Sequence, residues 1–119
     1  MMQEIMEMAE RLGKSLARTE EYQALRRAIG ASGDDRELAE LQTQILGLEQ
    51  AMQSQLQKGE EPTEEQAGEY EGFFSRLQSN GSYQRLVSAQ ANFDKVVAKV
   101  NETIHRGIQK GAESRIILT

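Results

Sequence analysis

The chain has 119 residues, 28% of them charged and 38% apolar, with 5% aromatics and no Trp. That suits one domain with a modest core. No cysteine is present, which removes disulfides, thiolate nucleophiles and thiolate-held zinc or iron–sulfur centres. The net charge of −5 disfavours non-specific binding of nucleic acid by the chain as a whole.

The opening stretch, MMQEIMEMAERLGK, alternates acids with apolar residues. It lacks the basic start and apolar run of a signal peptide, and nothing in the chain approaches the roughly 18 apolar residues of a membrane span, so a cytoplasmic protein without membrane contact is expected. Met2, Ile5, Met8, Ala9, Leu12 and Leu16 fall on one side of a first helix. Thr19 then reads as the N-cap of a second, with Glu20 and Glu21 favouring its positive end. Tyr22, Leu25 and Ile29 continue one face until GASGDD, where Gly30 suits a left-handed cap and Gly33 a turn.

Asp34 followed by Glu37 reads as a capping box. From there Leu38, Leu41, Ile45, Leu48, Met52 and Leu56 alternate steps of three and four, a heptad-like seam ~33 Å long. The only proline, Pro62, stops this helix after Gly59, and Thr63 with Gln66 forms a second capping box that starts the next. A connection this short favours two antiparallel helices. Ala67, Tyr70, Phe73, Phe74 and Leu77 line the fourth helix, and Asn80-Gly81 breaks it, with Ser82 as the next cap. Leu86, Ala89, Phe93, Val97, Val100, Ile104 and Ile108 then line a last helix reaching Lys110, ahead of the tail sequence RIILT. The fold expected is all-α: a five-helix antiparallel bundle with two long helices, about 35–58 and 82–110, and short connections. One bundle domain spans 1–110 and a tail 111–119. A chain this small buries only about two thirds of its unfolded surface, and extended helices bury less, so a homo-oligomer (a dimer or higher) is expected.

Chemistry-bearing patterns are sparse. His105 is the single histidine, and ETIH at 102–105 spells Glu-x-x-His only once. Di-metal bundles need that motif twice, so no metal, cofactor or catalytic residues are assigned. GASG and SNGS follow no strand and carry no phosphate-loop pattern, and both read as turns. The acids of GEEPTEEQ are accounted for by capping and solvation.

Two patterns carry interaction readings. The first 81 residues hold 8 Lys+Arg against 16 Asp+Glu, whereas the last 38 hold 6 against 3. At 100° per residue Lys95, Lys99, Arg106 and Lys110 fall in one sector opposite Phe93, Val97 and Ile104, with Arg85 nearby. The stripe reads either as a partner-docking surface or as a solvated face interrupted by Glu102. Gly68 and Gly72 lie one turn apart in a helix, where each costs about 1 kcal/mol relative to alanine. They suit the close approach of another helix or tolerated surface drift.

The order of SLARTEEY, LQTQILGLEQAMQSQLQKG, EPTEEQ, LQSNGSYQRLVSAQANFDKVV and VNETI resembles the YlbF/YmcA family of small bacterial helical proteins across roughly residues 3–108. The likeness rests on Glu21-Tyr22, Gly59 to Glu65, Asn80, and Ala89 to Asn101. It implies an all-α cytoplasmic protein without enzymatic activity. Some members form a complex that influences sporulation, competence and biofilm development and associates with ribonuclease Y in messenger maturation. Those members hold iron–sulfur clusters through cysteines, which this chain lacks. The function expected is therefore a non-enzymatic regulatory adaptor acting through protein–protein interaction, in a complex affecting RNA processing or developmental regulation. Two alternatives remain: nucleic-acid binding through the basic stripe, disfavoured because no aromatic is interleaved for base stacking, and a helical holdase drawing on Met2, Met6 and Met8.

Overall fold

Helix starts and stops written in side chains account for most of the architecture. A computed structural model describes the backbone of residues 1–118 and the side chains of residues 1–113. Five helices occur in it: α1 (Met2–Ala17), α2 (Glu20–Gly33), α3 (Arg36–Gln57), α4 (Glu64–Ser79) and α5 (Gly81–Leu118). The fold class is an all-α bundle, with no strand among the described residues. Two compact units divide it: Arg26–Ser88, and Met1–Leu25 together with the chain from Ala89 onward.

In the unit of residues 26–88, α2 runs on through Gly30, which the sequence suggested as a left-handed cap. The Asp34 N–H still reaches the Gly30 carbonyl at 3.3 Å, so the ladder persists to the end of the GASG stretch. Only Gly59 has positive φ among the described residues. The start of α3 accordingly shifts by one residue from the expected Asp34. Asp35 is extended, and its carboxylate accepts the Leu38 N–H at 3.0 Å.

At the far end of α3, Gly59 (φ 81°) lets the chain reverse. The Glu60 N–H bonds the Gln55 carbonyl at 2.8 Å and the Gly59 N–H the Leu56 carbonyl at 3.0 Å, the paired bonds of a Schellman stop. Thr63 then opens α4 with both halves of its capping box. Its hydroxyl accepts the Gln66 N–H at 3.1 Å, and the Gln66 carboxamide accepts the Thr63 N–H at 3.0 Å. Tyr70 donates to Glu49 at 3.2 Å and Asn80 to Asp35 at 3.2 Å, so rising numbers on α4 meet falling numbers on α3 and the two helices are antiparallel.

Leu38, Ile45 and Leu77 form the core of this unit, flanked by half-buried Tyr70, Phe73 and Tyr83. Leu38 and Leu41 are the largest fully buried side chains; burial of each is worth about 1.5–3 kcal/mol. Leu56, at the end of the predicted seam, is exposed, because the chain turns away immediately after it.

In the other unit, Thr19 joins α1 to α2 as expected, accepting the Tyr22 N–H at 3.1 Å while donating to the Leu16 carbonyl at 2.7 Å. Tyr22 meets Phe93 edge-on with ring centroids 5.2 Å apart. Leu12 and Thr19 share a groove with Val96, Val100 and Ile104 of α5. The expected apolar faces are present but incompletely covered: no residue of α1 is buried, and residues 101–113 of α5 are exposed throughout. α5 also continues beyond Lys110 to Leu118. One glycine, Gly111, costs a helix only about 1 kcal/mol, and no proline follows to stop it. The side-chain environment of the apolar run Ile116–Leu118 lies outside the described residues.

Candidate interaction surfaces

Each residue of the proposed basic stripe lies on α5 and is exposed. Lys95, Lys99, Arg106 and Lys110 belong to the unit containing α1, and Arg85 to the other. Lys99 sits on the rim of a groove of about 530 Å³ walled by Leu12, Val96, Val100 and Ile104. Glu102 and His105 are exposed on the same helix. Among the described residues no three His, Cys, Asp or Glu side chains gather as metal ligands.

Arg85 has a different setting. Its guanidinium lies 3.5 Å from where a Cβ on Gly81 would stand. It borders an open polar groove of about 410 Å³ with Arg76, Asp35, Glu37, Ser79 and Asn80. At the floor of this region two helix starts are joined. Asn80 is the only buried polar residue among the described side chains, and it caps α5 in place of the predicted Ser82 by accepting the Tyr83 N–H at 2.9 Å. Its amide donates to Asp35, the cap of α3. The Leu38 N–H, then the Ser82 side chain and the Asn80 amide, hold the Asp35 carboxyl below its ordinary range.

That cap-to-cap pair escaped the sequence reading. Two adjacent aspartates and an Asn-Gly-Ser run each offer more than one capping residue, and only backbone geometry chooses between them. On α4, the burial of Tyr70 and then the Glu49 carboxylate beside it raise the phenol above its usual range. The second glycine pair faces open space: a Cβ on Gly68 or Gly72 would meet nothing within 4 Å. Among the described residues no helix presses on either position.

The most uneven surface is apolar. Met2, Ile5, Met8 and Leu12 on α1 are 66%, 44%, 53% and 37% exposed, and Ile104 and Ile108 on α5 are 48% and 62% exposed. Among the described residues no helix is long and apolar enough to cross a membrane.

Comparison with known proteins bears on what such surfaces do. A UPF0342 protein of Bacillus mycoides is 24% identical over 110 residues, covering 92% of this chain and 94% of its own. Another from Leuconostoc citreum is 23% identical over 104 residues, covering 87% and 88% respectively. The solved structure of the DUF964 protein from Bacillus stearothermophilus superposes with a TM-score of 0.61 at 14% identity, over 88% of this chain and 92% of that one, and so shares the fold. The family model described as control of competence regulator ComK, YlbF/YmcA, matches residues 5–109. Spanning every helix from the first turns of α1 to deep within α5, that match shows that the chain belongs to the YlbF/YmcA family.

Proposed function

We propose that this protein is a non-enzymatic regulatory adaptor that works by binding other proteins in the cytoplasm, within a complex acting on developmental regulation or RNA processing. The observation that carries this reading is membership of a family described as controlling the competence regulator ComK. Its exposed surfaces suit the role, because the bundle leaves a basic stripe and a row of large apolar side chains in water. The stripe of Lys95, Lys99, Arg106 and Lys110, with Arg85 further along α5, is the surface proposed to meet an acidic partner.

Affinity capture from the native host with the wild-type chain and with K95E/K99E/R106E/K110E tests both parts. A protein retained by the wild type and lost by the variant supports them. Repeated recovery of nothing above background overturns the adaptor reading; equal recovery by both chains overturns the stripe. A titration with RNA at low salt is the companion measurement. Binding that falls steeply with salt and disappears in the variant would replace the protein partner with a nucleic-acid backbone.

A further inference from the structure

Asn80 and Gly81 join α4 to α5, and of the asparagines Asn80, Asn92 and Asn101 only Asn80 precedes a glycine. Such a pair is chemically labile. The Gly81 nitrogen, on losing its proton to solvent base, can attack the side-chain carbonyl carbon of Asn80, and no Cβ on Gly81 obstructs the approach. The carboxamide nitrogen then leaves as ammonia and a five-membered succinimide remains. Water opens that ring at the side-chain carbonyl to give aspartate, or at the main-chain carbonyl to give isoaspartate.

The fold opposes the first step. Ring closure brings the Gly81 nitrogen into eclipse with Cβ, at a ψ of about −120°, where hard-sphere contacts leave little room. Asn80 stands at φ −72° and ψ 124°, turned well away from that geometry. Three bonds hold it there. The Asn80 side-chain oxygen accepts the Tyr83 N–H at 2.9 Å, its amide donates to Asp35 at 3.2 Å, and the Gln84 amide donates to the Gln78 carbonyl at 2.8 Å. Asn80 is also only 7% exposed, which keeps base and water from the reacting atoms.

We propose that Asn80 is a deamidation site held closed by the joined caps of α3 and α5, so that time spent with those caps apart is recorded covalently at residue 80. An aspartate there sets a second carboxylate against Asp35, and an isoaspartate adds a methylene to the main chain at the helix junction. Neither product rebuilds the contact. This inference concerns the lifetime of the chain and does not rest on the adaptor reading.

The purified chain, folded or in urea, is incubated in warm, mildly alkaline buffer, and its tryptic peptide 77–85 is followed for isoaspartate and a gain of about 1 Da. In urea it should convert as fast as a free peptide of the same sequence; an unmodified peptide there overturns the site itself. The folded chain should convert at least about tenfold more slowly, because local opening limits access. Equal rates overturn the protection. Asp35→Ser keeps a cap for α3 but is too short to reach Asn80, so the folded variant should convert several-fold faster than wild type. A folded variant converting at the wild-type rate overturns the role of the joined caps. Should circular dichroism show that this variant has lost helix, wild type in urea below its unfolding transition gives the same readout, and a rate that does not rise there overturns that role equally. Modified chain returned to buffer should denature at a lower urea concentration than unmodified chain. An equal midpoint overturns the claim that the products fail to rebuild the contact.

Discussion

Asn80 makes four bonds from one residue. Its N–H reaches the Leu77 carbonyl, its carbonyl accepts from Gln84, its side-chain oxygen caps Tyr83, and its amide holds Asp35. Asn80→Ala removes the cap and leaves Asp35 short of a donor, and should cost about 2 kcal/mol in denaturant unfolding. Asn80→Asp keeps a good capping group but sets a second carboxylate beside Asp35. Its deficit relative to wild type should be larger at neutral pH than in mild acid. For Asp35 itself the folded pKa is depressed, so its contribution is present at neutral pH and disappears as pH falls through the carboxylate range, below about pH 4. Asp35→Asn should therefore flatten the acid limb of the stability profile. Gly68 and Gly72 invite the opposite experiment. With open space beside both, alanine at each should stabilise the purified chain by up to about 1 kcal/mol. A loss of association in the same variants would identify them as the seat of another subunit's helix.

Between α3 and α4, the turn depends on a glycine that no other residue replaces cheaply. Gly59→Ala forces a side chain into the left-handed region and should cost about 1–2 kcal/mol, measurable as a lowered denaturation midpoint with an unchanged slope. This connection was also the most legible part of the sequence. Gly59, Pro62, Thr63 and Gln66 each have one natural role, and their spacing leaves a single solution. Legibility failed where neighbours compete. Asp34 and Asp35 are chemically equal candidates for a cap, as are Asn80 and Ser82, and the winner depends on where the previous helix releases its last carbonyl. It failed again in α1 and distal α5, for a different reason. Periodicity identifies which face of a helix is apolar but not whether the same chain covers it, so Ile104 and Ile108 read like core and stand in water. The basic stripe was legible as a pattern because α5 is one uninterrupted helix. Its use is a property of the partner and is not written in the spacing.

Across the molecule, acidic residues dominate the first 81 positions and basic ones the remainder. Reversing four exposed cations on α5 should leave helicity intact and move stability little, since surface substitutions away from specific contacts usually fall within about 0.5 kcal/mol each. Melting curves of the stripe variant are thus the control that separates lost recognition from lost structure. The joined caps of α3 and α5 bear on how this protein assembles in time. Initiating a helix is the costly event, since the first turn must be ordered for a single bond, and lengthening it afterwards is easy. Asp35 and Asn80 lie 45 residues apart in the chain, yet their side chains meet at both initiation points, so ordering one turn positions the acceptor or donor for the other. Amide protons at Leu38 and Tyr83 should consequently exchange with solvent in step, slowing and quickening together as either cap is altered.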